Sequence, residues 1–338
     1  MKRKILVLLL VVCGLIIFGK RKLLIYGIDQ GLGQFSVIWN ARPINEVLAD
    51  SNLPDSLRKK LELSKDVRTF AIQNLGLKES DNYTTFYDQK GQPILWNVSA
   101  SDKYALKPYL WRYPFLGEMP YKGFFDLKKA IKELNRLQKS GYDARVRTVS
   151  GWSTLGILKD PILSNMLERS EGQLAEVIIH ELVHSTLFIK NKVDFNENLA
   201  SFIGEEGAKQ FLKYHFSDSS NEYIEYIQEE HDNKVFINHI LKGSKKLDSL
   251  YLSINDKPEH KKDTLKTQMI SEIIATVDTN DFFSDKYQHF FDNARPNNAY
   301  FMSFMRYHSQ EDSLKAIYQT FDRDLKTMIS ALKSEYGK

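Results

Sequence analysis

The sequence predicts an α+β protein, with a mixed N-terminal part that contains a small sheet and a mostly helical C-terminal half. Its 338 residues are 42% hydrophobic and 27% charged, the composition of an ordinary globular chain that can bury a core. Before Asp160 and Pro161, apolar residues alternate in short runs, as in strands, around one helical segment. Beyond that point the spacing of amphipathic helices dominates.

The charge pattern and the cysteine count exclude two features. The net charge of +4 comes from interspersed acidic and basic residues without a basic stripe, so nucleic acid is not an expected partner. The chain has one cysteine, Cys13, so an intrachain disulfide is impossible. No protein partner is predicted either.

The N-terminus has the pattern of a membrane-targeting segment. The basic start MKRK precedes an apolar run at residues 5–18, 14 in all, and the basic stretch GKRK follows it. A membrane-spanning helix needs about 20 residues, although snorkelling lysines make up part of the shortfall. We expect an uncleaved membrane anchor at residues 1–22, with the rest of the chain on the extracytoplasmic side. A cleaved or lipidated signal and a buried helix are the alternatives.

Three segments of the N-terminal part have a recognisable period. The stretch TTFYDQKGQPILWNVSAS (84–101) predicts two strands joined by a turn at residues 88–92, where Gly91 supplies the turn. Apolar residues at 127, 130, 131, 134 and 137 predict a helix that Gly141 terminates. Alternation in DARVRTVSGW (143–152) predicts another strand.

The C-terminal half predicts a succession of helices, several of them separated by lysine-rich breaks. Helical spacing covers residues 173–190, 195–216, 219–242, 262–277 and 300–332. No flexible linker or internal repeat divides the chain. We therefore expect an α+β part at 23–160 and a mostly helical part at 161–338, which together form one compact unit.

The sequence HELVH, residues 180–184, is the strongest functional signal. His180 and His184 are four residues apart, so on a helix they lie one turn apart on the same face and can bind one metal ion. Glu181 lies roughly a quarter-turn around the helix, where it can contact a water bound to that metal. His-Glu-x-x-His metallopeptidases use this division into two ligands and one general base. The flanking residues are apolar, and burying such polar side chains is costly unless they are paired or metal-bound.

A catalytic zinc ion needs a third protein ligand, and Glu197 is the best candidate. We expect the first helix to end near residues 190–192 and Asp194 to cap the next helix, which allows Glu197 to point back at the histidines. The alternative is that Asp194 and Glu197 form a capping box and bind no metal. The side chains that could replace Glu197 as ligand are Asp194, Glu205, Glu206 and His215.

HELVH followed by FNENLASF (195–202) resembles the gluzincin metallopeptidases, in which an Asn-Glu-x-x-Ala/Ser helix supplies a glutamate ligand. More closely, the chain resembles a bacterial family described as predicted aminopeptidases, from IDQGLGQFSVIWNARPI (28–44) to RPNNAYFMSFMRYH (295–308). The resemblance implies one zinc ion on His180, His184 and Glu197, with Glu181 as catalytic base. In VSGWSTLG, Gly-Trp stands where the family has Ala-Tyr, so no role of that tyrosine is carried over.

These observations predict a zinc metallopeptidase that hydrolyses peptides, an aminopeptidase by resemblance. The alternative is a membrane-anchored binding protein, zinc-stabilised or metal-free, without peptidase activity; Glu181 argues against it. The strand in 144–152 is expected to bind substrate by backbone pairing beside the metal-binding helix. A second group should stabilise the oxyanion, and the candidates are Tyr142, His289, Tyr300 and Tyr307.

Overall fold

The computed structural model describes residues 21–113, 117–148, 158–292, 295–308 and 310–336. The chain divides into two units, with the boundary between Ala41 and Arg42. In the first unit the described residues form helix α1 (Arg21–Asn40). The other described helices and strands belong to the second unit.

None of the described helices has both the length and the apolar character that a membrane crossing requires. Helix α1 is 20 residues long, but charged and amide side chains interrupt its apolar residues. The predicted anchor at residues 1–22 lies outside the described residues except for its last two, and its apolar run falls short of the ~20 residues of a span. The finding contradicts the predicted membrane-anchored localisation, with its membrane contact and extracytoplasmic catalytic part, and that prediction was wrong.

The α+β prediction is confirmed, and most strands lie in the N-terminal part of the second unit. The described strands are β1 (Arg42–Pro43), β2 (Thr85–Tyr87), β3 (Trp96–Asp102), β4 (Trp111–Tyr113), β5 (Gly117–Met119), β6 (Tyr121–Phe124), β7 (Tyr142–Thr148) and β8 (Ile162–Leu163). In one sheet β2 lies between antiparallel β1 and parallel β8. In another, β3 lies between β6 and β7, antiparallel to both, and β4 pairs with β5.

The two strands predicted around Gly91 exist as β2 and β3, but they belong to different sheets rather than to one hairpin. The turn itself is present, with Gly91 at φ +70° and the Gln92 amide donating to the Gln89 carbonyl at 3.0 Å. Pro93 follows the turn and has no N–H to donate to a ladder. The strands therefore separate after the turn and pair with other strands.

The predicted helix after Asp126 is confirmed, and so is the strand that follows it over residues 143–148, the described part of the predicted 143–152. Asp126 caps α4 (Leu127–Lys139) by accepting a hydrogen bond from the Lys128 amide at 2.7 Å, and Gly141 lies beyond its end at φ +84°. The strand is β7, which pairs with β3 on one side and has no second partner among the described strands. Residues 149–157 lie outside the described residues.

Helices make up most of the C-terminal half. They are α5 (Glu171–Thr186), α6 (Val193–His215), α7 (Asn221–Ser253), α8 (Glu259–Ala275), α9 (Asn298–His308), α10 (Glu311–Thr320) and α11 (Leu325–Tyr336), while α2 (Ile44–Leu48) and α3 (Asp55–Gln73) lie nearer the N-terminus. The stretch 300–332, predicted as one helix, contains parts of three. Asp322 and Arg323 have φ of 52° and 60°, a left-handed conformation that an α-helix cannot contain.

Two glycines allow α5 and α6 to pack closely. A Cβ at Gly204 would lie 3.0 Å from the Glu176 carbonyl oxygen and 3.3 Å from the His180 Cβ. A Cβ at Gly207 would lie 3.1 Å from the Ile179 side chain. Larger residues at these positions would push the helices apart, so glycine sets their separation.

Candidate metal centre

Helix α5 presents His180 and His184 side by side. Ser170 caps the helix by accepting a hydrogen bond from the Gln173 amide at 3.3 Å. Most apolar residues that flank the histidines are buried, which holds α5 in the core. The imidazole rings lie one turn apart, with centroids 4.9 Å apart and planes at 84°.

The connection from α5 to α6 begins earlier than the sequence predicted. Helix α5 ends at Thr186, before residues 190–192, because Leu187 takes an extended conformation. The Asn196 side chain then holds the loop, since its Oδ1 accepts from the Ile189 amide at 2.9 Å and its Nδ2 donates to the Ile189 carbonyl at 2.8 Å. The chain therefore turns back at once and α6 runs beside α5.

Asp194 does not cap α6, contrary to the prediction. The residue before the helix is Lys192, which makes no side-chain capping hydrogen bond. The Asp194 carboxylate lies 3.5 Å from the Arg306 Nε instead. No capping hydrogen bond supports the capping-box alternative, and the Glu197 carboxylate turns toward the two histidines.

Three potential ligand atoms converge between the helices. His180 Nε2 and His184 Nε2 are 3.2 Å apart, and Glu197 Oε2 lies 3.6 Å from the first and 3.5 Å from the second. Tetrahedral zinc with bonds of about 2.0–2.2 Å separates its ligand atoms by about 3.3–3.6 Å. The triangle thus has the size that a zinc ion requires. Among the described residues, these side chains are the group of histidines and acids that could hold a metal.

The accessibility of the group is uneven. His184 and Glu197 are 6% and 8% exposed, whereas His180 and Glu181 are only partly buried. A molecule from solvent therefore approaches the triangle from the side of His180 and Glu181. This is where a substrate and a general base would have to meet.

The electrostatics of the triangle favour a charged carboxylate. Burial alone would raise the pKa of Glu197, but the charge of His184 and the hydrogen bonds of both imidazoles hold it well below its usual value. Burial alone would lower the pKa of His184, but Glu197 outweighs it and raises that pKa. The donor set is two imidazoles and one carboxylate, whose Oε2 lies close to both imidazoles. Such a set fits a divalent metal ion.

The side chains considered as replacements for Glu197 are held by other partners. Asp194 lies beside Arg306, as described above. Glu205 pairs with Lys234 at 3.8 Å, Glu206 pairs with Lys209 at 2.8 Å, and His215 stacks on Phe211 with ring centroids 5.1 Å apart. The structure therefore does not bring them to the two histidines.

Of the candidate oxyanion donors, Tyr307 is the one whose pKa the charge of Glu197 raises. Burial and then the charge of Glu197 raise the pKa of its hydroxyl, and Arg147 Nη2 donates to Tyr307 Oη at 3.1 Å. The others have separate neighbours: Tyr300 with Arg145, Tyr142 with Tyr109, and His289 with Asp292.

Sequence reasoning missed Arg147 and Tyr121, which come from β7 and β6. Both lie within the electrostatic reach of Glu197. One signal was available for Arg147, because the alternation in β7 places it on the same face as Arg145. Its partner Tyr307 is 160 residues further along the chain, and no spacing rule predicts that contact.

Residues 25–335 match a family described as "Putative aminopeptidase". Because the match spans most of the 338 residues, the chain belongs to this family, and the resemblance to predicted aminopeptidases is confirmed. The description implies an enzyme that hydrolyses peptide bonds and a peptide as its substrate. Neither a curated protein nor a solved structure matches the chain.

Proposed function

We propose that this protein is a zinc-dependent metallopeptidase in which His180, His184 and Glu197 bind one zinc ion. The observation that carries the proposal is the triangle of ligand atoms, with sides of 3.2, 3.5 and 3.6 Å. Two imidazoles and a carboxylate are a ligand set of catalytic zinc, with a fourth position left for water. A glutamate ligand on a second helix is also the gluzincin arrangement that the sequence resembles.

Glu181 is the proposed acid–base group. A bound zinc ion would act as a Lewis acid that lowers the pKa of its water toward about 7 and polarises the substrate carbonyl. Glu181 accepts the proton that the attacking water loses and returns it to the leaving amine. Burial raises the pKa of Glu181 against the opposing charges of His180 and His184. A raised pKa helps a carboxylate to accept a proton and return it near neutral pH.

The substrate is proposed to be the N-terminal end of a peptide, in line with the family description. The described part of β7 pairs with β3 on one side and with no described strand on the other, where the Asn297 side chain donates to the Ala144 carbonyl at 3.0 Å; an extended peptide can pair with this edge beyond Ala144. Arg147 lies near the end of β7 and within reach of the Glu197 charge. An extended peptide on β7 would therefore run toward the histidines.

Zinc titration combined with peptide hydrolysis tests this function. The purified chain should bind one zinc ion, and a chelator should abolish hydrolysis that added zinc then restores. Mass spectrometry of a digested peptide mixture should show loss of single N-terminal residues. Zinc binding without any cleavage would instead support the non-hydrolytic binding protein, and internal cleavage would contradict the aminopeptidase assignment.

A further inference from the structure

Two arginine–tyrosine pairs join β7 to α9. The Arg145 Cζ lies 4.6 Å from the ring centroid of Tyr300, and the Arg147 Cζ lies 5.7 Å from that of Tyr307. The arginines are two residues apart on one strand face, and the tyrosines are seven residues apart, about two helical turns. The pairs differ in two respects: Arg147 also donates a hydrogen bond to the Tyr307 hydroxyl, and the charge of Glu197 acts on Tyr307, whereas Tyr300 is influenced by other groups.

The end of α9 that carries Tyr307 is tied to the helix that carries Glu197. The Asn198 side chain donates from Nδ2 to the Arg306 carbonyl and accepts at Oδ1 from the Gln310 amide at 2.9 Å. Asn198 is adjacent to Glu197 in α6, so these hydrogen bonds fix both sides of Tyr307 relative to the triangle. Tyr307 is thus held in place by its backbone neighbours.

The Tyr307 hydroxyl has one hydrogen to donate, and Arg147 determines where it is available. Arg147 Nη2 already donates to the hydroxyl oxygen at 3.1 Å, so the O–H must point away from the guanidinium. Among the described residues, no acceptor receives that hydrogen. A hydroxyl that receives a charge-assisted hydrogen bond is also a better donor, since linked hydrogen bonds polarise one another.

We propose that the Tyr307 hydroxyl donates a hydrogen bond to the substrate carbonyl oxygen as negative charge develops on it, and that Arg147 is a positioning residue that orients this hydroxyl. No proton is transferred in this step, and Glu181 remains the acid–base group. The inference rests on the proposed peptidase function. The chemistry that this hydroxyl would bind is a tetrahedral oxyanion, which a phosphinic peptide imitates.

The decisive variants are Tyr307→Phe and its matched control Tyr300→Phe. Each removes one hydroxyl from a tyrosine of α9 whose ring contacts an arginine of β7. Tyr307→Phe should lower kcat by about 10²–10³-fold, the usual effect of losing one oxyanion donor, with little change in KM because the interaction forms in the transition state. Tyr300→Phe should leave kcat unchanged. Zinc content and Tm should match wild type in both variants.

Two neighbours are rival donors. Tyr121 also lies within reach of Glu197, and burial lowers the pKa of His308 to about 4, so this neutral imidazole retains one N–H at pH 7. Loss of kcat in Tyr121→Phe or His308→Gln, with Tyr307→Phe fully active, would overturn the assignment.

Calorimetric binding of a phosphinic peptide adds a readout that is independent of turnover. Tyr307→Phe should weaken this binding by about 10²-fold and leave the affinity for a product peptide unchanged. Arg147→Gln should weaken it less, and should cost nothing further in the Tyr307→Phe background, because the arginine acts through the hydroxyl. Equal phosphinate affinity in Tyr307→Phe and wild type would overturn the inference. An inactive wild type that binds no phosphinic peptide would instead contradict the proposed function.

Discussion

Glu197 is the residue on which the candidate site depends most directly. Its Oε2 contacts both histidines, and it is the member that comes from a second helix. The sequence alone left it between a metal ligand and a capping residue, because spacing does not reveal where α5 ends. The extended Leu187 and the hydrogen bonds of Asn196 decide that geometry, and both depend on tertiary packing.

For these individual residues we predict that zinc affinity rises with pH. The pKa of His184 is raised in the folded protein, so its contact with Glu197 stabilises the metal-free fold at pH values below the unfolded-state pKa of 6.5. This contribution to stability is lost as the pH rises through the folded-state pKa of His184. Glu197, with its lowered pKa, contributes stability above 4.5 that is lost as pH falls through its folded pKa. Zinc must displace the proton of His184, so binding should be weaker at pH 6 than at pH 8.

A chelator-competition titration at the two pH values measures this, with the chelator's own protonation taken into account. Weaker zinc binding at pH 8 than at pH 6 would contradict the role of His184 as ligand. The same titration on Glu206→Ala serves as a control, because that carboxylate pairs with Lys209 and should not affect the result.

Among the elements, the helices of the C-terminal half were the most predictable and their ends the least. The apolar face of α5 and the motif within it were evident, because a long periodic pattern has few other interpretations. The separation of α10 from α11 within 300–332 was not evident, since the break at Asp322 and Arg323 involves residue types with ordinary helix compatibility. The partners of β2 and β3 were likewise unpredictable, because a turn does not determine which strands pair.

The close approach of α5 and α6 leads to a prediction about Gly204. In Gly204→Ala the new methyl group would meet the Glu176 carbonyl oxygen at 3.0 Å and the His180 Cβ at 3.3 Å. These are atoms of α5 close to the site, so the helices must shift. We expect a loss of about 1–3 kcal/mol in the free energy of unfolding, offset in part by the better helix propensity of alanine, together with weaker zinc binding.

Gly207→Ala is the matched control for that variant. Its methyl group would meet apolar side chains, at 2.9 Å from Leu75 and 3.1 Å from Ile179. It should lower the free energy of unfolding by a similar amount and leave zinc affinity unchanged. Chemical denaturation and zinc titration of both variants measure the two effects. Equal zinc affinity in both would show that the spacing at Gly204 does not position the ligands.

For the whole molecule, the predicted compact catalytic unit at residues 23–338 stays a prediction. The boundary in the structure falls between Ala41 and Arg42, which composition could not indicate because no linker-like stretch precedes it. Family membership extends from residue 25 to residue 335 and so includes most of α1. The predicted membrane localisation was wrong, since it rested on a short apolar run alone.

We predict that residues 42–338 fold without the first unit. The described elements that form the sheets and the metal centre all lie in this range. A chain that begins at residue 42 should therefore unfold in one cooperative transition, at the same Tm and with the same zinc content as a chain that begins at residue 23. Differential scanning calorimetry of the two chains measures this. A clearly lower Tm for the shorter chain would show that residues 23–41 belong to the catalytic unit.

Zinc content beside peptide hydrolysis, measured for Glu197→Ala, Glu181→Gln and the control Glu206→Ala, tests the central claim most directly. Glu197→Ala should lose most of the zinc, because a carboxylate leaves the metal's first coordination shell. Glu181→Gln should keep the zinc and lose hydrolysis by about 10²–10⁴-fold, because an amide cannot accept the proton. Glu206→Ala should match wild type in both. Full zinc in Glu197→Ala, or undiminished hydrolysis in Glu181→Gln, would contradict the account.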